Sequence, residues 1–262
     1  MDTTTATPAE RQAAIVQILN DESSVQVADL SRRFGVSKVT VRSDLESLER
    51  AGRLRRTHGG AVSLSQSVTV NEQDLRINVN VQEKRAIARA AVNLIKEGDS
   101  ILLDSGTTSL ELARSLAGIS GLTVVTNDLT IANFVDRSLR GTSVIMLGGV
   151  VNKGHRYTSG PLTLAALETL RPSLAFVCPT SFVPGRGLMA NNQDMAQLKK
   201  VFLTCAERCC VLLGSSKVGA GGLLRFGELT QASVVVVDKD PDGQVAAALE
   251  GSAAELLMAN EG

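Results

Sequence analysis

The chain predicts two domains of different architecture, a small winged helix-turn-helix over residues 1–62 and a larger α/β domain with a mainly parallel sheet over residues 81–262. Three observations carry this. The first sixty residues show short helical periods broken by tight turns and end on a basic, glycine-containing ribbon, whereas from Glu83 short apolar runs alternate with helical patterns. Residues 63–80 between them are polar, rich in Ser, Gln, Asn and Val, and carry no period, which reads as a linker. With 262 residues of which 44% are hydrophobic, the chain can bury one small core and one larger one.

The first helix is expected from Pro8 to about Asn20. Thr7-Pro8-Ala9-Glu10 has the spacing of a capping box with Pro at the first helical position, and Ile15, Ile18 and Leu19 follow at helical spacing. A second helix places Val27, Leu30 and Phe34 on one side and stops at Gly35, suited to the left-handed position after a helix. Ser37 is the expected N-cap of a third helix, whose Val41, Leu45 and Leu48 form an apolar stripe and which ends at Ala51-Gly52. Arg53 to Val62 then suits a two-stranded ribbon turning at Gly59-Gly60.

In the second domain, strands are expected at Ser100–Leu103, Leu122–Thr126, Ser143–Leu147, Leu174–Cys178, Cys210–Leu213 and Val234–Val237. Helices are expected at Glu83–Lys96, Ser109–Leu116, Leu129–Arg137, Pro161–Leu170 and Asp194–Glu207. Short, almost purely apolar strands separated by helices imply a parallel sheet covered on both faces.

Composition narrows the function. The 27 basic and 27 acidic side chains balance, so any basic surface is local. Four cysteines, Cys178, Cys205, Cys209 and Cys210, lack framework spacing, and His58 and His155 are the only histidines, which argues against a disulfide scaffold and against a metal site. Cys205, Cys209 and Cys210 read as packing residues. No cofactor is implied. The N-terminus lacks a basic start and an apolar core, and no segment approaches the roughly 20 apolar residues of a membrane span, so a cytoplasmic protein without a membrane partner is expected. No Trp and a single Tyr speak against a base-stacking platform, and leave a helix in a groove as the better way to bind nucleic acid.

On the third helix the apolar stripe faces inward, leaving a short, mostly neutral outer face. Ser37, Lys38, Val39, Thr40, Arg42 and Ser43 are the expected DNA contacts, with Arg42 able to reach guanine and Val39 or Thr40 a thymine methyl group. Arg53, Arg55, Arg56, Thr57 and His58 in the ribbon are expected backbone or minor-groove contacts, which position without specifying. Asp44, beside the stripe, is expected to be a structural ion-pair partner. A protein-interaction winged helix would share the helical spacing; the tight turn, small-residue face and basic ribbon together favour DNA.

The stretch SKVTVRSDLESLERAGRLRRTHGGAV resembles the helix-turn-helix and wing of DeoR-type bacterial transcriptional regulators, with Arg11, Ile15 and Leu19 matching in the first helix. The resemblance continues through Glu72, Arg76, Asn80 and Lys84 and then LLDSGTTSLELA, VVTND, MLGGVV and SSKVG, most of the chain. It implies a repressor whose C-terminal domain, similar in fold to ribose-5-phosphate isomerases and coenzyme A transferases, binds a phosphorylated sugar or related metabolite. Such a regulator is expected to work as a homodimer or larger homo-oligomer on two-fold related half-sites. Departures occur at Gly214, where the family commonly has aspartate, at Gly187–Ala190, and at Asp194-Met195 where Glu-Ala is common.

Ligands of parallel sheets sit beyond the carboxyl ends of the strands. Small polar clusters fall there: Asp104, Ser105, Gly106, Thr107 and Thr108; Thr126 and Asn127; Gly148 and Gly149; Ser216 and Lys217. Gly106 and the following helix N-terminus suit an anion, the hydroxyls add donors and Lys217 supplies counter-charge. Asp104, Thr126 and Asn127 suit sugar hydroxyls. Each also has a plainer account: Thr108-Ser-Leu-Glu111 is itself a capping-box pattern, Gly148-Gly149 a turn, Lys217 a surface lysine, and His155 and Arg156 a loop that either closes over a ligand or is solvated. Two other functions stay open at this stage, an aldose-ketose phosphate isomerase using Asp104 and a DNA reader whose second domain serves only to oligomerise.

Overall fold

The computed structural model describes residues 7–22, 24–57, 59–63 and 76–259. The chain divides into two compact units, residues 1–69 and 70–262. The predicted linker core, residues 64–75, lies outside the described residues.

In the first unit, α1 (Pro8–Glu22), α2 (Val27–Phe34) and α3 (Lys38–Arg50) enclose a core with β1 (Ser24–Gln26), β2 (Leu54–Arg56) and β3 (Gly60–Ser63). The reciprocal cap on α1 forms: Thr7 N donates to Glu10 Oε2 at 2.9 Å and Glu10 N to Thr7 Oγ1 at 3.4 Å. Gly35 follows α2 in the left-handed conformation, φ 64°, and Ser37 Oγ accepts from Thr40 N at 3.1 Å to start α3. Val41, Leu45 and Leu48 are buried against Ile15, Leu19 and Leu30, each contributing about 1.5–3 kcal/mol through apolar burial. The ribbon was expected to be two-stranded; it is an antiparallel sheet in the order β1-β3-β2. Three residues, Ser24–Gln26, are too few to show alternation, so β1 left no sequence signal.

Between α1 and α3 the buried Arg11 Nε donates to Asp44 Oδ2 at 2.5 Å, and Gln12 Nε2 donates to Asp44 Oδ1 at 3.2 Å. Asp44 is thus the expected structural partner, clamping α3 to α1.

The second unit is built on a parallel sheet of seven strands: β4 (Ser100–Leu103), β5 (Thr123–Thr126), β6 (Ser143–Met146), β9 (Leu174–Val177), β12 (Arg208–Leu213), β14 (Val234–Val237) and β15 (Glu255–Met258). Their order is β15-β14-β12-β9-β4-β5-β6. Period-two geometry sends alternate side chains to two cores. Ile101, Leu103, Leu212 and Val236 enter one with Ile87 and Leu110; Leu102, Val211 and Val235 enter the other with Phe182 and Leu198. Six of these strands were expected from their apolar runs. The seventh, β15, and the short strands β7 (Val150–Asn152), β8 (Tyr157–Ser159), β10 (Ser181–Val183), β11 (Gly187–Ala190) and β13 (Leu224–Gly227) were not. Strands of three or four residues among turn residues give too few alternations to read.

The helices are α4 (Val81–Val92), α5 (Thr107–Arg114), α6 (Leu129–Ser138), α7 (Pro161–Glu168), α8 (Gln193–Phe202) and α9 (Gln244–Leu249). Helix α8 ends before Cys205, five residues short of the expected Glu207. Burial raises the thiol pKa of Cys205 to about 11 and of Cys209 to about 12, so both are protonated packing groups. From β4 the chain winds outward through β5 and β6, and from β9 it winds the opposite way through β12, β14 and β15. The reversal opens a crevice beyond the carboxyl ends of β4 and β9.

Candidate functional site

The first unit presents the N-terminal half of α3 outward. Ser37, Lys38, Arg42 and Ser43 are exposed, Val39 is 73% exposed, and Thr40 is half-buried with its hydroxyl 2.9 Å from Ser37 Oγ. The face is small and mixed, with an exposed valine between exposed Lys and Arg, which is compatible with a helix entering a groove. In the wing, Arg53, Arg55 and Thr57 are exposed. Arg56 differs from expectation: its Nη1 lies 2.7 Å from Glu46 Oε1 and its N donates to Glu49 Oε1 at 2.8 Å, so it braces the wing against α3. His58 lies outside the described residues.

In the second unit a cavity of about 470 Å³ opens at the crevice where the sheet reverses. Ser105, Gly106, Thr107 and Thr108 after β4, and Ser216 and Lys217 after β12, line it. Gly106 is the N-cap of α5 at φ 143°, a conformation that favours glycine, and a Cβ there would meet nothing within 4 Å. The backbone is therefore open to the cavity. No side chain caps α5, so its first-turn N–H groups remain available as donors. The capping box expected from Thr108 to Glu111 does not form; Glu111 instead pairs with Arg114 at 2.5 Å and Arg85 at 3.5 Å.

Five expected cavity residues are not in the wall. Asp104 is fully buried: Lys199 Nζ is bonded to its Oδ2, and Cys178 N donates to the same oxygen at 2.9 Å. Thr126 Oγ1 donates to Leu103 O at 2.7 Å and accepts from Asp128 N, tying β4 to β5. Asn127 Nδ2 donates to Thr158 O at 3.0 Å, anchoring β8. Gly148 O accepts from Thr163 Oγ1 at 2.6 Å, and a Cβ on Gly149 would lie 2.2 Å from that hydroxyl. Gly149 thus serves a close approach of the chain before β7 to α7, whereas a Cβ on Gly148 would meet nothing within 4 Å. Asp104, Thr126 and Asn127 stand at strand ends, yet their side chains bond into the framework, a direction that strand position alone does not encode.

Most of the remaining wall was not expected from the residues themselves; His155 is the exception, its loop being open to either closing over a ligand or solvation. Arg76, Val79, Asn80, Glu83, Lys84 and Ile87 approach from the start of α4, His155 and Tyr157 from the β7–β8 hairpin, and Asn191, Asn192 and Met195 from the start of α8. Arg76 and Asn80 precede α4 and Asn80 is left-handed, so the backbone turn before the helix, not helical spacing, brings them to Lys84. Lys84 Nζ donates to Val79 O at 2.6 Å and to Arg76 O; Lys217 Nζ donates to Pro179 O at 3.1 Å. Burial, followed by the charges of Lys217 and Arg76, lowers the Lys84 pKa to about 8. Burial, with Arg76 and Lys199 nearby, also lowers that of Lys217. Among the described residues, Arg76, Lys84 and Lys217 form no ion pair. Burial raises the pKa of the Cys178 thiol in the wall, which keeps it protonated. The described residues contain no cluster of three or more His, Cys, Asp or Glu placed to hold a metal ion.

The family model described as the DeoR-like helix-turn-helix domain matches residues 11–67, and that of the DeoR C terminal sensor domain matches residues 79–239. An uncharacterized HTH-type transcriptional regulator of Bacillus subtilis is 36% identical over 92% of this chain and 93% of its own length. A putative aga operon transcriptional repressor of Escherichia coli O157:H7 is 31% identical, covering 97% and 94%. Among solved structures, ribose 5 phosphate isomerase A from Neisseria gonorrhoeae aligns with 52% of each chain at 14% identity and a TM-score of 0.38.

Proposed function

Given that the chain belongs to the DeoR family of helix-turn-helix transcriptional regulators, we propose that it is a repressor of a carbohydrate-metabolism operon, released or engaged by a phosphorylated sugar in the second-unit cavity. The observation that carries the ligand reading is a cluster of three cationic side chains that form no ion pair among the described residues. Arg76, Lys84 and Lys217 converge on one cavity, the charges of Lys217 and Arg76 add to burial in lowering the Lys84 pKa, and none of the three forms an ion pair among the described residues although Glu83 stands in the same wall, while the uncapped start of α5 adds N–H donors. A dianionic phosphate relieves that repulsion and satisfies those donors together. Ser105, Gly106, Thr107, Thr108, Ser216 and Lys217 form its cradle, and Asn80, Asn191 and Asn192 offer amides to the sugar.

In the first unit, Ser37, Lys38, Val39, Thr40, Arg42 and Ser43 read the major groove, and Arg53, Arg55 and Thr57 hold the backbone. A homodimer or larger assembly presents two such helices to half-sites separated by helical turns. No helix among the described residues is long and apolar enough to cross a membrane, in keeping with a protein that works where the DNA is, in the cytoplasm. An isomerase needs a base at the substrate carbon. Asp104, the carboxylate expected for that role, is outside the cavity wall and committed to Lys199, which favours sensing over catalysis.

The test selects operator sequences from random duplex DNA with the full-length protein and screens phosphorylated sugars by melting shift. Sequence-selective, salt-sensitive binding that one sugar phosphate alters is expected. Unselective binding, or no melting shift with any phosphorylated sugar, would remove the corresponding half of the reading.

A further inference from the structure

The residues just before α4 form a strap over the cavity whose fastenings are mostly the cavity's own polar groups. Val79 N donates to Arg76 O at 3.3 Å, closing a turn. Asn80 then adopts the left-handed conformation, φ 52°, which only a few per cent of non-glycine residues do, and its Nδ2 donates to Ser216 Oγ at 2.9 Å. Lys84 Nζ caps the Arg76 and Val79 carbonyls. Ile77 is half-buried against the core, whereas Arg76, Asn78, Val79 and Asn80 are exposed. So the strap has one apolar anchor among the described residues, and its remaining ties run to Lys84 and Ser216, two residues of the cavity wall.

We propose that this strap, residues 76–80, carries the state of the cavity toward the DNA-binding unit, and that Lys84 is the positioning residue that couples the two. The proposal rests on the reading of the cavity as an anion site. Without an anion, Arg76, Lys84 and Lys217 repel one another, and Arg76 pulls on the same turn that Lys84 holds. An anion between them cancels the repulsion. Lys84 then bonds the anion with its remaining donor while keeping the Val79 and Arg76 carbonyls, and Arg76 folds onto the anion from the strap side. The strap is tightened at residues 76–80. A ligand held only by the α5 loop and Lys217 would bind without this consequence, because it would have no different interaction with the two strap states.

The test uses the full-length protein, the sugar phosphate giving the largest melting shift, inorganic phosphate as the bare anion, and operator DNA selected as above. Amide exchange across residues 76–84 should slow about threefold or more on saturation in the wild type. At saturation, confirmed by a plateau in the melting shift, the ligand-induced change in operator affinity should fall to near one in Lys84→Gln. Asn80→Gly keeps the left-handed backbone but loses the Ser216 bond, and should reduce the same ratio while folding normally. A saturating melting shift with unchanged exchange at 76–84, or an undiminished operator response in both variants, would overturn the strap while leaving the cavity reading intact. Absence of any melting shift with phosphate or sugar phosphates would overturn both.

Discussion

Lys199 and Asp104 form a buried ion pair beneath the cavity, joining α8 to the loop after β4: the Lys199 ammonium is bonded to Asp104 Oδ2 and donates to Cys178 O at 2.7 Å. Because Cys178 N donates to the same carboxylate oxygen, three elements meet on one charge pair at the point where the sheet reverses direction.

Removing one member of that pair strands the other. Lys199→Met is expected to cost about 3–5 kcal/mol, a fall in Tm on the order of 10 °C, since the Asp104 charge stays buried. A thermal scan showing a loss of only a degree or two would mean the pair is ornamental. The double change Lys199→Met with Asp104→Asn should recover part of the loss.

In the DNA-binding unit, Asp44→Ala leaves Arg11 buried without its counter-charge and should destabilise that unit by about 3 kcal/mol. Denaturant titration followed by a probe on α3 reads this directly. Val41, Leu45 and Leu48 would remain to hold the helix, so operator binding should weaken through loss of folded protein rather than through altered sequence preference.

Arg42→Ala should lower discrimination between operator variants, at about 1–3 kcal/mol for the base pair it reads. Arg55→Ala, in the exposed wing, should weaken binding to all sequences alike and reduce the salt slope by about one. Intact sequence preference in Arg42→Ala would displace the recognition face from the start of α3.

Ligand affinity should depend on pH through Lys84. Its folded-state pKa, about 8, lies below the ordinary 10.5, so between those values the unfolded chain binds more protons and the ligand-free protein gains stability as pH rises. Below about 8 the penalty of the charged, crowded lysine is fully present, and an anion offsets it. Binding of a sugar phosphate should therefore be strong at pH 7, weaken as pH rises past 8, and take up protons near pH 8. Titration calorimetry in two buffers of different ionisation enthalpy measures that uptake. Lys84→Gln should bind more weakly and lose the step near pH 8; an unchanged profile would place the titration elsewhere.

Gly106→Ala should be destabilising by about 1–3 kcal/mol and should weaken anion binding, although the new methyl group meets no atom. The strain comes from φ 143° alone, and the methyl group would stand where the backbone faces the cavity. Wild-type affinity and Tm in this variant would show that the loop has an alternative conformation of equal energy.

Much of this molecule was legible from the chain because its signals are local. The stripe Val41, Leu45, Leu48 and the cap at Ser37 define α3 within one stretch of thirteen residues, and the apolar runs at β4, β9, β12 and β14 identify buried parallel strands without reference to their neighbours. The DSGTT loop was likewise legible as a break between a strand and a helix, although the residues alone left open whether it served a ligand or only started the helix. By contrast, whether Asp104 faces a ligand or a lysine depends on Lys199, ninety-five residues away, and whether Thr126 and Asn127 are free depends on Leu103 and Thr158. The sequence by itself determined the two architectures, the bounds of α3 and the loop that leads into α5. Only the tertiary structure decided the cavity's charge, because Arg76 and Lys84 acquire their meaning when the chain before α4 crosses to Lys217. Burial and mutual repulsion are properties of that meeting, not of any one segment.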